Sequence, residues 1–303
     1  MKKKILVLGG GYSKERIISL KSAKAVIKSI KKNHKVRFCD PCHNFLNTIK
    51  TFKPDVIFNA LHGRFGEDGY IQSILENLGM KYTHSGVISS MLSMDKEISK
   101  KIFSKNRILT PSYLKIKNNS KNINFTKIKY YLSYPVVIKP INEGSSLDVF
   151  VCNNKLSLSS NLKKMKNYRE ILVEKFIPGR EIQVAIMGNK KLGAIELRPK
   201  RKFYDYKAKY YTNAKTKHII PVDLSKKNYD KVNEIALKAH KLLGCKGITR
   251  SDFKFYKNKF YLLELNTQPG MTNLSLVPEI AAYKGINFNS LINWMIEDAS
   301  IKR

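Results

Sequence analysis

The sequence predicts an α/β protein made of three successive units, and three observations carry that reading. Residues 3 to about 90 alternate short apolar runs with amphipathic stretches, the rhythm of a parallel sheet covered by helices. After Ser93 the pattern changes to a small α+β module, and after Pro178-Gly179 to a third, mixed unit; no internal repeat is evident. With 303 residues, 43% of them hydrophobic, the chain is long enough for two or three compact cores and far from the composition of disorder.

In the first unit Lys4–Leu8 is a short apolar run, read as a buried strand rather than a signal peptide, and no stretch approaches the roughly 18 consecutive apolar residues of a membrane span. Helix over Glu15–Ile30, strand over Lys35–Cys39, helix over His43–Phe52, strand over Val56–Ala60 and helix over Tyr70–Leu78 complete a βαβαβα series. Gly9-Gly10-Gly11 follows the first strand and lets the backbone approach a ligand at a helix N-terminus. The full dinucleotide fingerprint is missing, so a nicotinamide site is not expected. Cys39-Asp40-Pro41-Cys42-His43 has the spacing of a c-type haem attachment, but Asp-Pro reads as the turn after the second strand. Cys39, Cys42, Cys152 and Cys245 are expected as free cytosolic thiols.

The second unit opens at Ser93-Met94-Asp95-Lys96, a polar start to a helix running to about Ser104. A polar lysine-asparagine stretch follows Thr110-Pro111; then come strand Pro135–Lys139, the loop Asn142-Glu143-Gly144-Ser145-Ser146, and strands near Val149–Cys152 and Ile171–Glu174. The third unit has strands Glu181–Ile186 and Leu192–Leu197, a long polar segment, a helix over Tyr229–Leu243, and paired strands Ile248–Phe255 and Phe260–Leu265.

The 57 Lys and Arg against 23 Asp and Glu give a formal charge of +34, which taken alone suggests a nucleic-acid binder. The lysines are scattered through every segment among Asn and Ile, as a compositional bias would spread them, and no groove-reading motif or stacking signature accompanies them. A general attraction to anionic substrates is expected, and a nucleic-acid partner is not.

Three constellations carry chemistry. Lys139 ends an apolar strand ahead of Glu143-Gly144-Ser145-Ser146, so its ammonium and the loop's N–H groups can hold phosphate oxygens. Glu174-Lys175-Phe176-Ile177 enters a Pro-Gly hinge where an adenine edge can find backbone partners. Glu264 and Asn266, two residues apart on one strand, face the same side, and an opposed strand bearing Asp252 completes an oxygen cage for Mg²⁺. Carboxylates on apolar strands are costly to bury without such a cation; the plain alternative is a solvated strand face.

Along essentially its whole length the sequence resembles the D-alanine:D-alanine ligases of the ATP-grasp superfamily. The resemblance rests on Glu15-Arg16, Leu61-His62-Gly63-Arg64, Gly66-Glu67-Asp68-Gly69, Ser93-Met94-Asp95-Lys96, Ile138-Lys139-Pro140 and Glu143-Gly144-Ser145-Ser146. Further on it rests on Phe203-Tyr204-Asp205-Tyr206-Lys207-Ala208-Lys209-Tyr210, Gly244-Cys245-Lys246-Gly247, and Glu264 through Thr272 with Ser275-Leu276-Val277-Pro278.

The resemblance implies a three-domain ATP-grasp architecture: an N-terminal parallel-sheet, Rossmann-like domain at 1–92, a central domain at 93–178 and a C-terminal domain at 179–303. It implies ATP as co-substrate, with Lys96 and Lys139 on the phosphates, Glu174, Lys175 and Ile177 around adenine, and Glu181 on ribose. Asp252, Glu264 and Asn266 would hold two Mg²⁺, with Mn²⁺ able to substitute. The first D-alanine would sit by Glu15 and His62, and the second would be held by Ser275 and Leu276. Arg250 and the Gly270 N–H would face the reacting carboxylate, Ser145 and Tyr210 would join Glu15 in a hydrogen-bonded triad, and Lys209 would reach the transferred phosphate. The segment from about Lys200 to Lys217 would form a lid. A cytoplasmic homodimer is implied. Where the family favours small residues this chain has Asp148 and Leu265, and where it favours Ser it has Gln268, which leaves local loop geometry open. The competing readings are a ligase using D-serine or D-lactate as second substrate, against which the Lys209-Tyr210 pair speaks, and a non-catalytic basic nucleic-acid-binding protein, which would be expected to lack some of the acidic trio.

Overall fold

The structure, a computed structural model, describes residues 2–118, 123–144, 147–198, 216–272 and 275–303. Its first unit contains β1 (Lys4–Leu8), α1 (Arg16–Ile30), β2 (Lys35–Cys39), α2 (Phe45–Phe52), β3 (Val56–Asn59) and α3 (Tyr70–Asn77). The strands form a parallel sheet in the order β2-β1-β3. Ile5 to Leu8 are fully buried because a central parallel strand is covered on both faces, and α1 supplies part of the cover through Ala23, Val26 and Ile30. The Cys39-Asp40-Pro41-Cys42 string is a turn in which Asp40 accepts from the N–H groups of Gly11 and Cys42, each at 3.1 Å, and all four cysteines are free.

Two helices follow where the sequence suggests one. α4 (Val87–Met94) ends and α5 (Lys96–Lys105) begins at Asp95, whose extended backbone breaks the helix and whose carboxylate caps the next by accepting from the N–H groups of Glu97 and Ile98 at 2.9 Å. The second sheet is antiparallel, in the order β4-β7-β5-β6. Its parts are β4 (Tyr113–Lys117), α6 (Phe125–Leu132), β5 (Val136–Pro140), β6 (Phe150–Cys152), α7 (Lys155–Lys164) and β7 (Glu170–Lys175). β4 lies in the stretch expected to be merely polar.

The third sheet runs β10-β9-β8-β11-β12, antiparallel throughout. It is built from β8 (Arg180–Met187), β9 (Lys190–Arg198), β10 (Lys217–Ile219), β11 (Ile248–Tyr256) and β12 (Lys259–Asn266), with α8 (Lys226–Leu242), α9 (Leu276–Tyr283) and α10 (Phe288–Asp298). The turn into β8 needs Gly179: its φ is +107°, and a Cβ there would stand 2.3 Å from the carbonyl oxygen of Phe255.

The cores do not divide as the sheets do. Ile128, Val136, Ile138, Leu158 and Val173 form a core private to the second sheet. Ile5, Val7 and Val26 of the first unit pack in one cluster with Ile195, Ile280, Leu291 and Met295 of the third. Phe103 of α5 packs with Ile182, Ala236 and Phe253. The chain also returns to its first sheet, since Tyr82 bridges Ile57 on one side and Ser300 on the other, and the Arg303 guanidinium donates to the carbonyl of His84. Among the described residues no helix is long and apolar enough to cross a membrane.

Candidate active site

Two clefts meet where the three sheets converge. The smaller, about 70 Å³, lies between the second and third sheets and is lined by Lys96, Lys139, Glu174, Lys175, Ile177 and Glu181. These are the six residues that the sequence analysis assigns to a nucleotide. The larger, about 860 Å³, opens between the first and third units and is lined by Glu15, His62, Arg250, Gly270, Ser275 and Leu276, the residues assigned to the two amino acids. Lys96 also borders the larger cleft.

In the smaller cleft Lys96, Lys139, Glu174 and Glu181 are buried and paired, while Lys175 is exposed. Lys139 reaches Glu174 at 2.9 Å, and Lys100, one turn along α5 from Lys96, approaches the other oxygen of Glu174 at 2.9 Å. Burial works to raise the Glu174 carboxyl, and the two ammonium groups more than reverse it, so it titrates below the ordinary range. The Lys96 ammonium donates to the carbonyl of Glu143 at 2.5 Å and lies 3.5 Å from Glu264. Glu181 meets Lys254 at 3.0 Å across the β8–β11 pair.

The oxygen trio is where the strands place it. Asp252 and Glu264 are directly opposed across β11 and β12, and Asn266 lies two residues farther along, opposite Arg250. Asp252 faces the smaller cleft, Asn266 the larger, and Glu264 both. Arg250 holds Asp252 through two bonds, 2.7 and 3.0 Å. Among the described residues no three His, Cys, Asp or Glu gather as a metal-binding group; the trio itself is two carboxylates and an amide on paired strands. That hard, incomplete donor set fits magnesium, which keeps water and phosphate oxygens in its remaining positions.

In the larger cleft Glu15 is buried at the start of α1, and the loop carrying Gly144 comes so close that a Cβ there would sit 2.6 Å from a Glu15 carboxylate oxygen. His62 is bracketed by Glu67 at 3.1 Å and the Ser22 hydroxyl at 2.9 Å. Ser275 precedes α9, and its hydroxyl accepts from the Thr272 N–H at 2.9 Å, while Leu276 opens a helix whose first N–H groups point outward. Ser145, Lys209 and Tyr210, together with most of the segment read as a lid, lie outside the described residues.

Sequence reasoning missed four side chains here. Ser22 and Glu67 orient His62, and Glu67 stood in a motif without an assigned role. Lys100 was unmarked. Gln183, fully buried on apolar β8, borders the larger cleft, and among the described residues neither end of its amide has a hydrogen-bond partner. A polar residue set within the apolar run Ile182–Met187 was its signal. The three departures from the family pattern all have partners. Leu265 packs in the core shared with Phe253, Gln268 accepts from the Asn59 amide at 2.8 Å, and Asp148, at φ +54°, accepts from the Tyr168 hydroxyl at 2.6 Å.

Comparison with known proteins agrees in extent. The model described as D-ala D-ala ligase C-terminus matches residues 103–297, and the one described as D-ala D-ala ligase N-terminus matches residues 40–85. The chain is 64% identical over 305 residues to the D-alanine–D-alanine ligase of Pelagibacter ubique (strain HTCC1062), covering 100% of both chains. It is 45% identical to that of Wolbachia pipientis wMel, covering 97% of this chain and 94% of the relative. The crystal structure of D-alanine–D-alanine ligase from Bacillus anthracis complexed with ATP superposes with a TM-score of 0.86 at 31% identity, covering 98% of this chain and 97% of that one. A second structure of the Bacillus anthracis enzyme gives 0.87 at 34%, with the same coverage.

Proposed function

The chain belongs to the D-alanine:D-alanine ligase family, and from that premise we propose how its own residues divide the reaction. It is an ATP-dependent, ADP-forming ligase that joins two D-alanines for peptidoglycan precursor synthesis. The division of labour we propose assigns the smaller cleft to ATP, with Lys96 and Lys139 on the phosphates, Glu174, Lys175 and Ile177 at adenine and Glu181 at ribose. The paired, buried state of Glu174 supports a contact with adenine through its backbone rather than its carboxylate. The domains follow the same division: 1–92 on the first-substrate side, 93–178 covering the nucleotide, and 179–303 carrying the trio and the second substrate.

The first D-alanine sits in the larger cleft with its ammonium at Glu15, and His62, fixed by Ser22 and Glu67, stands beside it. Its carboxylate attacks the γ-phosphorus, forming the acyl phosphate and releasing ADP. Lys96 and Lys139 neutralise the crowded oxygens as the bond to the leaving group breaks. Asp252, Glu264 and Asn266 would hold two magnesium ions, or manganese, which supply further neutralisation of phosphate charge. Ser275 and the N-terminus of α9 at Leu276 take the carboxylate of the second D-alanine. Its free amine attacks the acyl carbon, Arg250 and the Gly270 N–H meet the oxyanion, and phosphate leaves as the peptide bond forms. Ser145, Tyr210 and Lys209 keep their assigned roles, Ser145 and Tyr210 in the triad with Glu15 and Lys209 on the transferred phosphate.

One observation carries this reading: Glu264 borders both clefts and directly opposes Asp252, so one carboxylate joins the phosphate side to the amino-acid side. Glu264→Gln is expected to nearly abolish phosphate release while the circular dichroism spectrum is unchanged. Near wild-type release at saturating magnesium would remove Glu264 from the metal set. The protein is further proposed to act in the cytoplasm as a homodimer. The exposed Tyr12 and Tyr70, each in ring contact with the half-buried Phe65 on the first unit, support a partner there, and sedimentation of the purified chain checks it.

A further inference from the structure

Lys100 is among the largest fully buried side chains of the protein, and it borders neither cleft. A lysine in such a place has to be explained, because an ammonium loses its hydration on burial and needs a partner to offset the loss. Its partner is Glu174, and Glu174 is shared. Lys139 and Glu174 are diagonal neighbours on one face of the second sheet, Lys139 lying opposite Leu172 and Glu174 two residues on. Each carboxylate oxygen faces one ammonium at 2.9 Å. The Lys100 approach is an ion pair without the angles of a hydrogen bond. Lys96 and Lys100 stand on the same face of α5, four residues apart, so one helix sends one ammonium into the cleft and a second behind its wall.

The geometry points to Lys100 as a positioning residue of the ligase, a standing counter-ion that neutralises Glu174 from behind so that Lys139 is released to the phosphates of the nucleotide. This rests on the reading that Lys139 meets those phosphates. A buried carboxylate with a single cation holds it firmly, because separating them leaves an uncompensated charge in a dry environment. With two cations the carboxylate stays compensated after one turns away, and the trio carries one net positive charge for an anionic ligand. Burial pushes the Lys100 ammonium down to about 8, with Glu174 opposing that fall, so it is charged at neutral pH.

The test measures binding of the magnesium complex of a non-hydrolysable ATP analogue by calorimetry, without D-alanine, in the full-length protein. Lys100→Met is expected to weaken binding by about tenfold or more, the loss of one charge-assisted bond from Lys139 to phosphate. Adding Glu174→Gln to Lys100→Met is expected to recover most of that loss, since no carboxylate then competes for Lys139. A packing role for Lys100 gives the reverse, with the double variant at least as weak as Lys100→Met. Unchanged binding in Lys100→Met, or no recovery in the double variant, overturns the inference. If Lys100→Met does not fold, Lys100→Gln in the Glu174→Gln background is compared with Glu174→Gln alone. Equal affinities are expected there, and a further loss of about tenfold overturns the inference. Lys139→Met separates the two levels. If it binds the analogue normally, the nucleotide reading itself fails; if it loses binding while Lys100→Met does not, only the role of Lys100 falls.

Discussion

Gln183 lies in register beside Asp252, which in turn opposes Glu264, so an amide extends the row of oxygens across three strands. A buried amide without a partner costs about 1–3 kcal/mol, and a ligand that supplies the partner recovers that cost. Gln183→Met is therefore expected to raise the melting temperature of the ligand-free protein by a few degrees, at about 2–4 °C per kcal/mol for a chain approaching this size. The further rise on adding magnesium and an ATP analogue is expected to shrink, and scanning fluorimetry reads both. A lower ligand-free melting point with an undiminished ligand response would mark Gln183 as purely structural. At this scale the sequence was legible where residues come as ordered strings with chemical reasons, as with Asp252, Glu264 and Asn266. It was illegible where a residue acts through a neighbour distant in sequence. Nothing near Lys100 announces Glu174, and Ser22 meets His62 only because α1 runs past the end of β3.

Among the elements, the β1–α3 series was readable to within two residues at each boundary, because β1 and β3 are buried, largely apolar runs and the intervening helices keep an apolar stripe. β4 was hidden by its place at a sheet edge, where Lys115 and Lys117 alternate outward and leave only partly buried apolar positions between them. α7 was hidden for a different reason: only Leu158 and Leu162 of its ten residues are buried, and its start is fixed by the reciprocal bonds of Asn154 and Ser157 rather than by hydrophobic periodicity. The break between α4 and α5 was half legible. Asp95 was recognised as part of a polar helix opening, but nothing local reveals that another helix ends there. That break matters for the site because it sets Lys96 at the first position of α5, beside Glu143 and Glu264.

For the whole molecule, the core shared by the first and third units ties stability to groups buried at and near their junction. Burial, with the charges of Arg303 and His62 behind it, holds His84 down to about 3. Burial holds His240 down to about 4. Both lie below the ordinary value of about 6.5, so the unfolded chain binds protons that the folded chain refuses. Their contribution is intact above about pH 6.5 and is lost as pH falls toward 4, at roughly 1.4 kcal/mol per pH unit for each buried imidazole. Urea midpoints at pH 7, 5.5 and 4.5 are expected to fall accordingly, and His240→Gln should flatten the slope; a wild-type slope in that variant would mean His240 titrates freely. The bridge from Tyr82 to Ser300 and the hold of Arg303 on the His84 carbonyl have a consequence in time. These partners are 219 residues apart for Arg303 and His84. At about 5–20 residues per second the ribosome needs on the order of 10–40 s to cover that separation. The first sheet is thus begun at Lys4 and closed by Ser300 and Arg303, made far later, and its Tyr82 edge stays open throughout the interval.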